Sequence, residues 1–235
     1  MENPRYGHPV TKLMYVMWGD DLAAKLLDPA LRDNLKAAGV TRLQVNVDDE
    51  AVAPAMRIPT TESPIGAIVS VWTGHDGEPE APVTAVLAPL ADRLAGYETY
   101  ERQPIPPPAI GDGERMDTLA NIAVLRRPEE LTREQWIHNW LVDHTPVAKV
   151  TQATFGYVQN VVIRPVTEDA PQIDSMVEEL FPSAGMSDMH AFYGSGGDDA
   201  ELNERFTKLM TSVERFGADR NLDLVPSSRY VFTIG

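Results

Sequence analysis

The stretch Trp136-Ile-His138-Asn-Trp140-Leu-Val-Asp-His144-Thr-Pro146 places two tryptophans and a histidine at four-residue steps. Residues four apart on a helix lie one above another, so Trp136, Trp140 and His144 form a single stripe, widened by Ile137 and Leu141. That stripe points inward, which sets a titratable ring at the end of an apolar wall. Upstream, Thr132-Arg-Glu-Gln135 reads as a capping box that starts the helix, and Pro146 marks where its first part stops or bends. A helix over residues 132–150 is expected.

Working outward, the second half reads as a strand at Thr118 to Leu125, the tryptophan helix, a long strand at Phe155 to Arg164 and a third strand at Met189 to Tyr193. Asp198-Asp-Ala-Glu201 then caps a helix with the seam Leu202, Phe206, Leu209, Val213 and Phe216, ended by Gly217, and Arg229 to Ile234 closes as a strand. Between strands lies an insert, Pro165 to Met186, in which Ile173, Met176, Val177 and Leu180 are spaced for a short amphipathic helix.

The first half repeats this order. Lys12 to Trp18 is a strand. Asp28-Pro29 supplies an N-cap and first-turn proline for a helix closed by Gly39, and Val40 to Val47 and Ile65 to Thr73 are strands. Pro82 to Ala95 reads as a helix that Pro89 kinks or restarts, followed by a short extended piece near Tyr100. Pro104 to Gly113, containing Pro106-Pro-Pro108, is an extended linker. The expected class is therefore α+β: two tandem ferredoxin-like βαββαβ units, residues 1–110 and 115–235, forming a pseudodimer like a dimeric α/β barrel.

Composition bounds the function. The 235 residues carry a formal charge of −15 and no cluster of Lys and Arg, which argues against nucleic acid or an anionic membrane as partner. With no cysteine there is no disulfide, thiolate metal site or cysteine nucleophile. Met1 to His8 shows no basic region followed by an apolar run, and no apolar stretch approaches the roughly 20 residues of a membrane span. A cytoplasmic protein is the expectation, with homodimerisation left open.

Trp140, His144 and Pro146, followed by Tyr157-Val-Gln-Asn160, match a W-x-x-x-H-x-P helix and a Y-V-Q-N strand. In these positions the second half resembles the EthD family of the dimeric α/β-barrel superfamily, over roughly 120 residues. The first half shares only the element order, since its helix from Pro29 to Ala38 holds neither tryptophan nor histidine. The resemblance implies a small enzyme without organic cofactor, a monooxygenase, cyclase, isomerase or lyase, acting on hydrophobic and often aromatic compounds, with catabolism of such compounds as the setting. The superfamily also includes haem enzymes built from tandem units.

His144 is the candidate acid or base, because burial shifts an imidazole and lets it move a proton at neutral pH. The alternative is a buried histidine bonded to a neighbouring backbone group. Tyr157 is the second catalytic candidate. Trp140, Trp136, Asn160 and His190 are substrate-binding candidates, although Trp136 also suits core packing. Tyr157 and Asn160 lie on opposite faces of their strand, so at most one faces the helices. His190 alternates with Phe192 in the expected third strand and would share the cavity of His144. His138 and His144 lie on different helix faces, so no metal is expected, and His138 is read as solvated.

Gly194-Ser-Gly-Gly197 sits where a phosphate cradle would, but Asp198 and Asp199 place negative charge there, so a turn with an N-cap is the better reading. Trp72-Thr-Gly-His75-Asp-Gly77 reads as strand end and turn. The leading expectation is a cofactor-independent enzyme binding a small hydrophobic ligand between helix and sheet of the second half, with the segment Ile173 to Phe181 covering the cavity mouth. The alternatives are a haem enzyme with His144 or His190 as axial ligand, and a binding or assembly protein without chemistry.

Overall fold

Eight strands close into one antiparallel barrel in the order β1-β3-β2-β8-β5-β7-β6-β4. The computed structural model describes residues 11–74 and 79–234; His75 to Gly77 of the turn read above, and the segment Met1 to His8, lie outside the described residues. β1 (Thr11–Trp18), β2 (Val40–Val47), β3 (Ala67–Thr73) and β4 (Arg93–Ile105) come from the first half. β5 (Leu119–Leu125), β6 (Gly156–Pro165), β7 (Ser175–Phe181) and β8 (Asp223–Thr233) come from the second. Within each half the outer pair flanks the first and third strands, and the halves join edge to edge through β4–β6 and β2–β8. Among the described residues the closed barrel leaves no free strand edge, which is the physical advantage of closure.

Helices cover the outside of the barrel. α1 (Leu22–Leu27), α2 (Pro29–Ala37) and α3 (Glu80–Leu87) lie on the first half, and α2 starts as expected, with the Asp28 carboxylate accepting from the Ala30 N–H at 2.8 Å. On the second half, α4 (Arg133–His138) begins with the capping box of Thr132 and Gln135. It passes into a π-type turn over Asn139–His144 and then α5 (Thr145–Thr151). α6 (Met189–Tyr193) and α7 (Asp199–Glu214) complete that layer, and Gly217 stops the chain beyond α7 at a φ of 78°. Among the described residues no helix is long and apolar enough to cross a membrane.

Three elements correct the sequence reading. Residues 175–181 are the strand β7 rather than a helix: β7 is buried on both faces, so its apolar residues do not alternate and fit a helical spacing equally well. Consequently this segment is barrel wall and not a cover over a cavity. Met189–Tyr193 is a short helix, capped by Asp188 and closed by Gly194 at a φ of 70°, where a strand was expected. The helix expected from Pro82 to Ala95 ends at Leu87; Pro89 sits in a 3-10 turn, and the next 13 residues from Arg93 form β4. The βαββαβ order of the second half survives because β7 takes the place assigned to residues 189–193.

The barrel interior has two layers. Met14, Val16, Ile68, Tyr97, Ile122, Val124, Met176 and Val225 make one end apolar. The adjoining layer is polar: Glu178 Oε1 accepts from Gln44 Nε2 at 3.0 Å, Asn46 Nδ2 at 2.9 Å and Arg229 Nε at 3.1 Å. Lys12 pairs with Glu101, and burial alone would raise that carboxyl, but the Lys12 charge and hydrogen bond outweigh it and hold it low. An eight-stranded barrel is just wide enough for its own side chains to fill it.

Candidate functional site

A cavity of ≈110 Å³ lies outside the barrel, between the β5–β7–β6 wall and the helices of the second half. Its apolar lining includes Leu125, Trp140, Leu209, Val213 and Phe216, and its polar lining is His144, Gln152, Tyr157 and Glu179. The fold makes this meeting in a simple way. β-strand alternation turns Tyr157 on β6 and Glu179 on β7 to the helix side, directly opposite each other in register. The π-type turn carries Trp140 and His144 down onto them, and such turns recur at functional sites because the extra residue re-aims a side chain.

His144 is buried, with its Nδ1 3.0 Å from Ser212 Oγ on α7 and its ring 4.8 Å from that of Phe216. Burial pushes its pKa down to about 4, so the ring is neutral at pH 7 and offers a lone pair. The Tyr157 phenol receives a hydrogen bond from Gln159 Nε2 at 3.1 Å, and burial above all raises its pKa, keeping the hydroxyl protonated. Glu179 is half-buried, yet its Oε1 is closed to solvent and has no hydrogen-bond partner. Burial pushes its pKa up to about 7, against a smaller opposite effect from Gln152.

Of the candidates named from the sequence, His144, Tyr157 and Trp140 come together at this cavity. Trp136 does not line it: fully buried, its ring lies 5.1 Å from that of Trp140, tilted by 39°, and it donates through Nε1 to the Phe216 carbonyl, tying α4 to the end of α7. Asn160 faces the barrel interior, accepting from Lys12 Nζ at 2.6 Å and donating to the Met176 carbonyl. His190 also lies elsewhere, because its segment is helical. Its Nδ1 is 2.7 Å from Ser195 Oγ, and its Nε2 is 3.3 Å from an Asp199 carboxylate oxygen. His138 is exposed, 3.6 Å from Asp143. The glycine run is a turn in which Asp198 caps α7 through the Ala200 and Glu201 amides.

Glu179, Gln152 and Ser212 were not singled out from the sequence. Reading residues 173–181 as a helix hid Glu179; recognising a strand antiparallel to Tyr157-Val-Gln-Asn160 would have exposed it. Ser212 lies one position before Val213 of the α7 seam and carried no signal of its own.

No family model and no curated protein sequence matches the chain. Solved structures share its fold. An anthrone oxidase-like protein superposes with a TM-score of 0.58 at 11% identity, covering 96% of this chain and 93% of that one. A presumptive monooxygenase of Fusobacterium nucleatum gives 0.50 at 8% identity, covering 96% and 94%. A chlorite dismutase of Candidatus Nitrospira defluvii gives 0.48 at 8%, covering 94% and 90%. The first two establish a dimeric α/β-barrel type of fold.

A haem does not fit beside His144. The space there is ≈110 Å³, well below the roughly 300 Å³ at which pockets for drug-sized ligands begin, and Phe216 packs against the ring.

Proposed function

We propose that this protein is a cofactor-independent enzyme that binds a small hydrophobic ring compound in the second-half cavity and moves a proton on it. The observation that carries the reading is the meeting of a neutral, buried His144 and a protonated Tyr157 beneath Trp140. His144 accepts the proton, the Tyr157 hydroxyl faces the charge that develops on a ligand oxygen, and the indole packs against the ring. The volume selects the size. An apolar cavity of about 150 Å³ holds benzene, so one ring suits this cavity once its walls give slightly, and a fused system requires α7 to move.

The name of the anthrone oxidase-like neighbour favours oxygenase chemistry over lyase, isomerase or cyclase chemistry for the step after proton removal. We also assign the second half to the EthD type, and read residues 1–110 and 115–235 as tandem ferredoxin-like units, supported by the pairing order within each half.

The test is a screen of single-ring compounds for binding and oxygen consumption, repeated with His144→Ala. Removing a general base lowers turnover by about 10²–10⁴-fold, with ligand binding and fold retained. Full turnover in that variant sinks the role of His144. Binding with no turnover of any ring compound would favour the ligand-binding alternative.

A further inference from the structure

Across the β5–β7–β6 wall, Asn121, Glu179 and Tyr157 occupy one row, each directly opposite the next, all on the helix side. Gln159 follows Tyr157 on the same face. In this patch Asn121 Oδ1, Glu179 Oε1 and Gln159 Oε1 are buried and have no hydrogen-bond partner. All three are acceptors. Buried polar groups are ordinarily paired, and of these three bare acceptors the Glu179 oxygen belongs to the residue that lines the cavity, where a ligand can bring it a donor.

We propose that Glu179 is a further catalytic residue of the cavity, whose Oε1 accepts first a hydrogen bond and then the proton from a hydroxyl group on the bound ring. The inference rests on the cavity reading above and narrows its substrates to hydroxylated rings, phenols or enols. In the step, the ligand O–H bond breaks and an O–H bond forms on Glu179; the electron pair stays on the ligand oxygen, giving a phenolate or enolate, and no oxidant is consumed. The Tyr157 hydroxyl, opposite Glu179, is placed to donate to that oxygen. A ring with only acceptors leaves Oε1 bare and brings a second lone pair against it.

The surroundings suit a carboxyl that changes protonation in use. The groups facing it are Tyr157 on β6, His144 on the π-type turn, Gln152 at the end of α5, Asn121 on β5 and, through its charge, Tyr193 on α6. None of these is a cation at neutral pH. Burial therefore acts unopposed by any ion pair and sets the carboxyl near neutrality, matched to proton exchange at that pH.

The experiment titrates phenol, anisole and toluene into the intact protein, following the indole N–H signal of Trp140, assigned with Trp140→Phe. Phenol is expected to bind about tenfold or more tighter than the other two at pH 8, the worth of one added hydrogen bond. Its affinity should fall as pH drops through about 7, where the carboxyl protonates. Glu179→Gln, which keeps the size and a carbonyl acceptor but does not titrate, should remove the pH dependence, and Glu179→Leu should level the three ligands. Equal binding of all three, unaffected by pH or by either variant, overturns the role of Glu179 while leaving the cavity reading intact. Failure of all three to shift the Trp140 signal overturns the cavity reading and this inference with it.

Discussion

Glu178 and Glu179 are consecutive on β7, and alternation sends them to opposite sides of the barrel wall. Glu178 enters the polar layer, where Gln44, Asn46 and Arg229 all donate to one of its oxygens. Glu179 enters the cavity, where its Oε1 has no donor. The same side chain is a satisfied structural anion in one place and a proton carrier in the other. The two halves repeat the contrast on a larger scale. Beneath α1 to α3 the helix-facing side is closed by Leu13, Met17, Leu31, Leu35, Val69 and Val71, and the Tyr15 hydroxyl sits 3.0 Å from Thr84 Oγ1. Beneath α4 to α7 the corresponding wall carries Asn121, Glu179, Tyr157 and Gln159.

The sharpest way to break the comparison is to cut the barrel. Expressed separately, residues 1–110 and 115–235 each expose a sheet edge left by the lost β4–β6 and β2–β8 pairings, and each should be unstable or self-associating. Two monomeric fragments with cooperative melts would show that the halves do not depend on closure.

Next in size, Glu178→Ala strands the buried Arg229 without its carboxylate and should lower stability by about 3–5 kcal/mol in denaturant melts. Trp140→Ala should lose a similar amount, about 3–5 kcal/mol, by removing a buried indole. Glu179→Gln should lose far less at pH 7. If the two glutamate variants melt alike, the division between anchor and proton carrier is wrong.

A smaller effect separates the cavity groups by pH. The His144 pKa is depressed in the folded state, so its contribution to stability is full above about 6.5 and is lost as pH falls towards 4. That of Glu179 is raised, so its contribution is full below about 4.5 and is lost as pH rises through about 7. Between these limits the two slopes oppose each other, each at ~1.4 kcal/mol per pH unit. Relative to the parent, Glu179→Gln should therefore gain stability as pH rises from 5 to 6.5, and His144→Phe should lose it. Parallel curves for both variants would contradict the shifts. The least effect belongs to His138→Ala, exposed and outside the cavity, which should stay within about 0.5 kcal/mol.

Local signals in the chain were strong wherever one chemical device decides an outcome. The capping box at Thr132, the Asp28-Pro29 start, the strands Lys12 to Trp18 and Val40 to Val47, and the Trp–His stripe all stand where their residues said. The two caps act within a single turn and need no partner, and the strands and the stripe are marked by runs of apolar residues in their own segment. Residues 175–181 and 189–193 were exchanged in type because a strand covered on both faces has no alternation, and because five residues are too few to show a helical period.

Sequence by itself therefore determined the α+β order, the buried stripe carrying His144 and the acidic, cysteine-free character that sets aside thiol chemistry. Tertiary structure decided which groups meet there. His144 and Ser212 are 68 positions apart, and Glu179 lies 22 positions from Tyr157, yet helix packing and strand register bring each pair together. It also decided their protonation, since the pKa of His144 falls and that of Glu179 rises by burial, a property of the closed fold and not of any local spacing.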